Sequence, residues 1–494
     1  MLSQPQMQMA EDKRDEGLKN AAAFFAGLAI YQLAHFAISA GNFSVVRFQI
    51  PRSLVGLYIN RFIISYRIAT FIGNTTMTIY DISRGPYMTG ISIALRWSDA
   101  VTYIISLTSF CSGGAQGNLT LHYWVIVAVE LINGWSFVAT VKIGSKQMPY
   151  LLASFPLSGI FASSYHLTFI FFWELFGLSN TFYWLVFYQK VLAIIIATVS
   201  AVLWTMAYKG ETAEQTGQDA EALNLSGAWS PILMIALGYS LQNMFYPSIA
   251  PYKIIGLERG YRIDVTTLIT GAIPPLTILV LKHFELSPDR QWKSPHDIWH
   301  WVWPLFGLQL TCAFIFILTL HYPDWSLPRT MRTNVFVLAL FTISYDLSAQ
   351  ILRVVGSNGA SRQTNGSQDN SKVDTFATCF YSFTQIIFAF LGDGYLRVYS
   401  KYEKNRENWP TKHCNKKRAF WFWTWSTTKV ACKAMKSAFT RDVRAEIQTN
   451  KEYLFIVYED APPECENHLF DLPFIHKTES SKDYYSLKRA YIFH

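Results

Sequence analysis

Long apolar runs recur along this chain, and they constrain its fold more than any other feature. From Ala21 to about Arg397, stretches of roughly twenty apolar residues alternate with short polar segments. A helix of about 20 residues crosses the roughly 30 Å hydrocarbon core of a bilayer. Lipid offers no hydrogen bonds to the backbone, and these runs are too long and too irregular for barrel strands. The pattern predicts an all-α polytopic membrane protein.

Composition agrees with a chain that lies mostly in lipid. Apolar residues make up 51% of the sequence and charged residues 15%, below the roughly one quarter typical of soluble domains. The polar N-terminus mixes acidic and basic residues without a small-residue cleavage site, so we expect the first span to be retained. The six cysteines lie far apart without metal-ligand spacing. We expect no cofactor, no metal site and no nucleic-acid partner.

We predict about eleven spans, within a range of ten to twelve. They lie near residues 20–41, 55–80, 87–109, 121–143, 149–173, 182–208, 229–251, 263–283, 298–321, 333–355 and 374–398. The second is the most polar, because Arg61 and Arg67 lie within it. The predicted organisation is a polar N-terminal segment (1–19), a first transmembrane half (20–208), an acidic connector (209–228), a second half (229–399) and a tail (400–494). The Ser/Asn/Gly/Gln-rich stretch 356–372 has the composition of a flexible loop.

The tail is basic and then acidic. Its basic part, Lys401 to Arg444, contains the aromatic cluster of residues 420–425, which is too short to span a membrane. Basic residues around Trp and Phe favour an interfacial segment attracted to anionic lipid headgroups; the alternative is a solvated tail whose aromatic residues pack on the helices. Lys and Arg in the short loops favour a cytoplasmic N-terminus, yet eleven spans would then place the basic tail outside. The conflict disappears if one span is miscounted, the second being the most doubtful, or if the tail is an exception to the positive-inside rule.

Five spans carry polar residues at helical spacing on one face. The stripes are Tyr31, His35 and Ser39; Glu130, Asn133, Ser136 and Thr140; Gly159, Ser163 and His166; Tyr239, Gln242, Asn243 and Tyr246; and Asp346, Gln350 and Arg353. Singly, such residues often serve as hydrogen-bond contacts between membrane helices, and Asp346 with Arg353 could be an internal ion pair. Arg96 and Asp99 could simply cap the third span at an interface. Stripes on five helices together favour a polar cavity for a solute.

No motif supports catalysis. The chain has no HExxH, GxSxG or P-loop sequence, so it is expected not to be an enzyme, and any transport would be facilitated or ion-coupled.

Two stretches resemble the equilibrative nucleoside transporters, a family with eleven spans divided six and five. One runs from Phe24 to Leu28 and on to Ala40; the other runs from Leu131 through Gly144 to Ser163. Phe245-Tyr246-Pro247 and the general layout also resemble the Tpr-related families of piroplasm parasites. The resemblance covers about a quarter of the chain by motif, and small-residue helix faces recur in many membrane bundles.

The chain departs from the nucleoside-transporter pattern at several positions. His35 stands where the family has Asn after a Trp, and Ala34 replaces that Trp. Thr140 stands where the family carries a Gln implicated in substrate contact. The segment 268–275 lacks the Asp and Arg that the family places four residues apart in its eighth span.

The leading hypothesis is a transporter of a small polar solute, with nucleosides and nucleobases as candidates, working by alternating access in a facilitative or proton-coupled manner. The expected architecture is a major-facilitator-like bundle of two pseudo-symmetric halves with a site between them. Predicted solute contacts are His35, Asn133, Thr140, Gln242, Asn243 and Tyr246; predicted gate or proton-linked residues are Asp346, Arg353 and His166. The alternative is a multi-pass receptor or interaction platform acting through its tail. A channel is the weakest hypothesis, since the sequence shows no selectivity-filter motif or charged ring. The expected location is the plasma membrane or an internal membrane.

Overall fold

A computed structural model describes residues 4–37, 41–50, 55–83, 87–210, 223–292, 297–363, 370–403, 406–437 and 442–445. Within these ranges the regular structure is entirely helical. The connector 211–222 and the acidic end of the tail lie outside the described residues.

Seven helices precede the connector. They are α1 (Gln4–Ala37), α2 (Gly41–Arg47), α3 (Val55–Ile82), α4 (Met88–Cys111), α5 (Leu119–Ile143), α6 (Met148–Leu175) and α7 (Thr181–Tyr208). Nine follow it: α8 (Trp229–Leu233), α9 (Ser240–Phe245), α10 (Leu257–Gly271), α11 (Ile273–His283), α12 (Pro304–His321), α13 (Ser326–Thr333), α14 (Val335–Gly359), α15 (Ser371–Glu403) and α16 (Lys416–Ser437). A π-helical turn, Met234–Tyr239, joins α8 to α9, and another, Ser248–Lys253, follows.

The helices fall where the apolar runs predict them. The polar second span is a continuous 28-residue helix, α3, despite its internal arginine at 67. The predicted eighth span begins earlier than expected, since α10 starts at Leu257. Both ends of the stretch 356–372 are helical, since α14 continues to Gly359, a 3₁₀ turn covers Ala360–Arg362 and α15 starts at Ser371; residues 364–369 lie outside the described residues. The flexible-loop prediction does not hold at these two ends, because Ser and Asn can be held inside a helix, as Asn358 is by its bond to the Val354 carbonyl oxygen at 2.7 Å.

Apolar side chains cover the outside of the bundle. Leu167, Phe171, Ile195, Phe314 and Leu340 are each about half exposed or more on long helices. Surfaces of this kind are stable against hydrocarbon rather than water. Seven helical segments of the described residues are long and apolar enough to cross a membrane: 119–143, 145–175, 181–208, 262–283, 298–321, 335–362 and 371–403. The prediction of an all-α, integral, multi-pass membrane protein is confirmed.

Small residues let the helices approach closely. A Cβ added to Gly73 of α3 would lie 2.4 Å from the Leu131 carbonyl oxygen of α5, and one added to Gly134 would lie 2.6 Å from the Thr70 carbonyl oxygen. Within the second half of the chain, a Cβ on Gly392 of α15 would lie 2.4 Å from the Met244 carbonyl oxygen of α9. Close backbone approach of this kind drives membrane-helix packing where no hydrophobic effect operates between helices.

The first part of the tail belongs to the bundle. Helix α16 lies along α15, with Trp423 buried against Tyr395 and with Ala431 and Ala434 packed on Ile64 of α3. Phe420, Trp421 and Trp425 of the same helix are 64–71% exposed. The predicted contact of these aromatic residues with lipid headgroups stays a prediction.

Arg96 and Asp99 form a buried ion pair within α4 rather than an interfacial cap. Their side chains are 3.1 Å apart, and Arg96 also donates to the Ala26 carbonyl oxygen of α1 at 3.3 Å. Both side chains are at most 5% exposed, so the pair ties α4 to its neighbours inside the bundle.

Gly73→Val should destabilise the fold, because the new side chain overlaps the α5 backbone, and overpacking costs about 1–3 kcal/mol. Gly90→Val is the matched control, since no atom lies within 4 Å of an added Cβ there. Thermal unfolding of the purified protein in detergent measures both midpoints. Equal midpoints for the two variants would contradict the proposed α3–α5 contact.

Candidate functional site

The polar stripe at residues 239–246, here called the hub segment, contacts four other helices. It begins where the π-helical turn 234–239 passes into α9 and ends just past Phe245. Four neutral side chains, those of Tyr239, Gln242, Asn243 and Tyr246, share its polar face. Each of them bonds to one charged residue on another helix.

Two of these contacts involve arginines. Arg353 of α14 donates from Nη1 to the Tyr239 hydroxyl at 2.9 Å, and Arg67 of α3 donates from Nη2 to Asn243 Oδ1 at 3.0 Å. Gln385 of α15 also donates to Asn243 Oδ1, at 3.4 Å. Because α3 precedes the connector and α14 follows it, the hub segment contacts both halves of the chain.

The other two contacts involve carboxylates. Gln242 Nε2 donates to Asp346 Oδ1 on α14, and the Tyr246 hydroxyl donates to Asp264 Oδ1 on α10. The Tyr252 hydroxyl donates to the second oxygen of Asp264 at 2.8 Å. Each carboxylate is therefore held by neutral donors.

Arg353 lies in an aromatic cage formed by both halves. Its Nη2 donates to the Tyr31 hydroxyl of α1 at 2.9 Å, and its guanidinium carbon lies 4.3 Å from the Tyr239 ring centre and 4.9 Å from that of Phe155 on α6. Cations over aromatic faces are stabilised electrostatically, more so when desolvated. Asp346 and Arg353 do not form the ion pair that their spacing on α14 allowed, since Arg353 bonds to the two tyrosines instead.

Glu130 and Asn133 extend this polar region onto α5. Thr70 of α3 donates to Glu130 Oε2 at 2.8 Å, and Asn133 Nδ2 donates to the Ile30 carbonyl oxygen of α1 at 3.3 Å. Asn133 is 6% exposed, and among the described residues its Oδ1 has no hydrogen-bond partner. A buried amide oxygen without a donor is costly, so it is a candidate acceptor for a bound molecule.

Three predicted site residues bond elsewhere. His35 Nε2 lies 3.2 Å from Ser158 Oγ of α6, and His166 Nε2 lies 2.8 Å from Gln189 Oε1 of α7. The Thr140 hydroxyl donates to the Ser136 carbonyl oxygen of its own helix at 2.7 Å. The structure thus brings Asn133, Gln242, Asn243, Tyr246, Asp346 and Arg353 into the polar region between the helices and gives these three other partners.

Sequence reasoning missed two charged residues of this region. In the sequence, Arg67 only makes the second predicted span unusually polar. Asp264 lies just inside the expected eighth span but outside residues 268–275, the segment that corresponds to the charged pair of the nucleoside-transporter family. The general cost of a charge in a membrane helix was the available signal for both.

A hydrogen-bonded layer closes one end of the bundle, where α3 and α5 end and α15 begins. Thr375 of α15 donates to Asp81 Oδ2 of α3 at 2.8 Å, and Lys142 lies 3.4 Å from the other oxygen of Asp81. Ser145 donates to Asp374 Oδ2 at 2.5 Å. We call these five residues the closing layer; it joins helices from before and after the connector.

An apolar groove of about 600 Å³ lies away from the hub segment. It follows α6 and is lined chiefly by Phe161, Tyr165, Phe169, Phe172 and Trp173. Its apolar lining suits lipid rather than a polar solute. Among the described residues, no group of three or more His, Cys, Asp or Glu side chains is placed to hold a metal ion.

Comparison with known proteins gives distant similarities of overall structure. No protein-family model matches the sequence, and no curated protein matches it. A proton:xylose symporter of the major facilitator superfamily is 11% identical over 87% of this chain and 98% of its own, with a TM-score of 0.47. A bacterial homologue of the iron transporter ferroportin in an outward-facing state is 9% identical over 88% and 99%, with a TM-score of 0.46. PepTSo, a POT-family transporter, is 11% identical over 89% and 98%, with a TM-score of 0.42.

Similarity at this level assigns neither a substrate nor a mechanism. It also gives no support to the specific resemblance to nucleoside transporters or to the piroplasm families. The site must be interpreted from its own residues.

Tyr246→Phe should destabilise the protein, because it keeps the ring and removes a donor from the Asp264 carboxylate. Leaving a buried acceptor without a donor costs about 1–3 kcal/mol. Tyr322→Phe is the matched control, at a ring that is 48% exposed. Thermal unfolding in detergent should show a lower midpoint for Tyr246→Phe alone; unchanged midpoints in both variants would contradict the contact.

Proposed function

We propose that this protein is a transporter that moves a small polar solute across a membrane by alternating access. The contacts of the hub segment are the main support for this proposal. Its neutral side chains bond to two arginines and two carboxylates on α3, α10 and α14, about halfway along α3 and α14. Charged residues inside a membrane bundle are costly and commonly mark a solute or ion pathway.

The closing layer supports alternating access. It joins α3 and the turn after α5 to α15 by hydrogen bonds between short side chains at one end of the bundle. Bonds of this kind can break and re-form as the halves move, whereas an apolar core resists such movement. A site between the halves with a separable layer at one end is the arrangement that alternating access requires.

The proposed solute contacts are Asn133, Gln242, Asn243 and Tyr246, with Asp346 and Arg353 as gate or proton-linked residues. Asp346 and Glu130 are buried carboxylates held by neutral donors, so either could carry a proton through the cycle. Facilitated and proton-coupled transport therefore both remain within the proposal. The resemblance seen in the sequence makes nucleosides and nucleobases the first solutes to test.

Asn243→Ala should abolish saturable uptake, because it removes the acceptor shared by Arg67 and Gln385. Thr140→Val should retain uptake, because the lost hydroxyl bonds only within its own helix. Radiolabelled uptake into proteoliposomes, with nucleosides, nucleobases, hexoses and amino acids at two pH values, measures both. Undiminished uptake by folded Asn243→Ala protein would remove the hub segment from the pathway.

Thr375→Val should weaken the closing layer, because Asp81 loses its α15 donor. Thr378→Val, one turn further along α15, is the matched control, since the Thr378 hydroxyl bonds only to the Asp374 carbonyl oxygen. Spin labels at Lys146→Cys and His283→Cys, with the native cysteines replaced, report the separation of α6 from α11 at this end. We expect a larger long-distance population in Thr375→Val than in the control; identical distributions would contradict the role of the layer.

The alternative of a non-transporting platform is tested by removing residues 446–494, which leaves α16 and its contacts with α15 intact. Loss of a partner or of localisation, in a chain whose full-length form shows no uptake, would favour the platform. Retained uptake after this truncation would favour the transporter.

A further inference from the structure

Two arginines bind successive turns of the hub segment. Arg353 bonds to Tyr239 and Arg67 bonds to Asn243, and these partners are four residues apart, a rise of about 6 Å. The two guanidinium groups therefore approach the same face of the hub segment, Arg353 from α14 and Arg67 from α3.

Neither guanidinium has an anionic partner among the described residues. Every ion pair found there involves other side chains, and the contacts of Arg67 and Arg353 are to amide and hydroxyl oxygens and to aromatic rings. Arg353 is 8% exposed, and the Nε of Arg67 is buried without a hydrogen-bond partner.

The carboxylates nearby do not change this argument. Glu130 bonds to Thr70, Asp346 to Gln242, and Asp264 to Tyr246. A carboxylate in an apolar environment can become neutral by binding a proton, whereas arginine stays charged under all ordinary conditions. A bound anion that accepts directly from the two guanidinium groups would compensate their charge, which their present neutral acceptors do not.

The present hydrogen-bond acceptors of Arg353 are ones that an anion could replace. Its two bonds go to phenolic hydroxyls, which are uncharged and therefore weaker acceptors than an oxyanion. The planar fork of a guanidinium matches the paired oxygens of a carboxylate or a phosphate. Asn243, which accepts from Arg67, is likewise a neutral acceptor that an anion could replace.

We propose that the transported solute carries an oxyanion group, a carboxylate or a phosphate, which binds between Arg353 and Arg67 on the hub segment. This inference rests on the proposed transport function and specifies its substrate class. The rings of Tyr31, Tyr239 and Phe155 then contact the part of the solute next to the oxyanion.

The test compares solutes that share a body and differ in charge. Full-length protein is reconstituted in proteoliposomes and offered adenosine with adenosine monophosphate, ribose with ribose 5-phosphate, and lactamide with lactate, at constant ionic strength. The unfolding midpoint of the detergent-solubilised protein is measured with each of the same six compounds. The phosphate and carboxylate arms show which oxyanion the site prefers.

We expect at least one anionic compound to be taken up saturably and to raise the unfolding midpoint, with its uncharged counterpart doing neither. Arg353→Gln and Arg67→Gln should each weaken that binding about tenfold or more, because a charge-assisted hydrogen bond is lost. Arg397→Gln is the matched control, since Arg397 pairs with Asp393 within α15 at 2.8 Å. Arg67→Gln keeps the inference testable if Arg353→Gln fails to fold.

Different outcomes separate this inference from the transport proposal. Saturable uptake of uncharged compounds alone, unchanged in both arginine variants, would overturn the oxyanion inference and leave transport standing. Stabilisation by an anionic compound in the wild type but not in the arginine variants, without uptake, would support the oxyanion site and count against transport. An absence of both effects for every anionic compound, in folded protein, would overturn the inference.

Discussion

The structure depends on one arrangement, in which neutral side chains of a single segment separate charges that come from other helices. Residues 239–246 place a phenol or an amide against each of Arg353, Asp346, Arg67 and Asp264. A direct ion pair in so dry an environment is strong once formed and costly to break. Neutral partners hold the same charges less tightly, so the helices that carry them can move relative to one another.

The closing layer complements the hub segment. At that end of the bundle, Asp81 and Asp374 receive donors across the boundary between the halves, and Lys142 adds an ion pair. Close glycine contacts such as Gly73 with Gly134 instead hold helices together within one half. Rigid contacts within a half and exchangeable polar contacts between halves are what rocking of two bodies around a central site requires.

Much of the fold could be predicted from the sequence. Apolar length alone located most of the long helices to within a few residues, because lipid demands about 20 helical residues per crossing, but α1 begins at Gln4, well before the predicted start near residue 20. The two ends of the stretch 356–372 differ from the prediction, since composition cannot show that a Ser- and Asn-rich segment continues a helix. For the tail, the interfacial prediction did not include the packing of α16 on α15, whereas the alternative of aromatic residues packed on the helices matches the buried Trp423.

The site was predictable only in part. Spacing correctly placed Tyr239, Gln242, Asn243 and Tyr246 on one face, and the structure shows that this face contacts four other helices. Helical periodicity shows which residues share a face, but it does not show which helix packs against that face. The partners Arg67 and Asp264 could therefore not be inferred from the sequence. For the same reason His35, Thr140 and His166 looked equivalent to the hub residues, although their bonds go to Ser158, to a backbone carbonyl and to Gln189.

The most direct test of the central claim is the variant Asn243→Asp, which replaces a neutral partner of Arg67 with a carboxylate of nearly the same shape. Two quantities are measured on one preparation, the unfolding midpoint and the rate of solute uptake. If neutral partners are what keep the helices movable, the new ion pair should raise the midpoint and sharply reduce uptake. An unchanged midpoint with undiminished uptake would contradict the account.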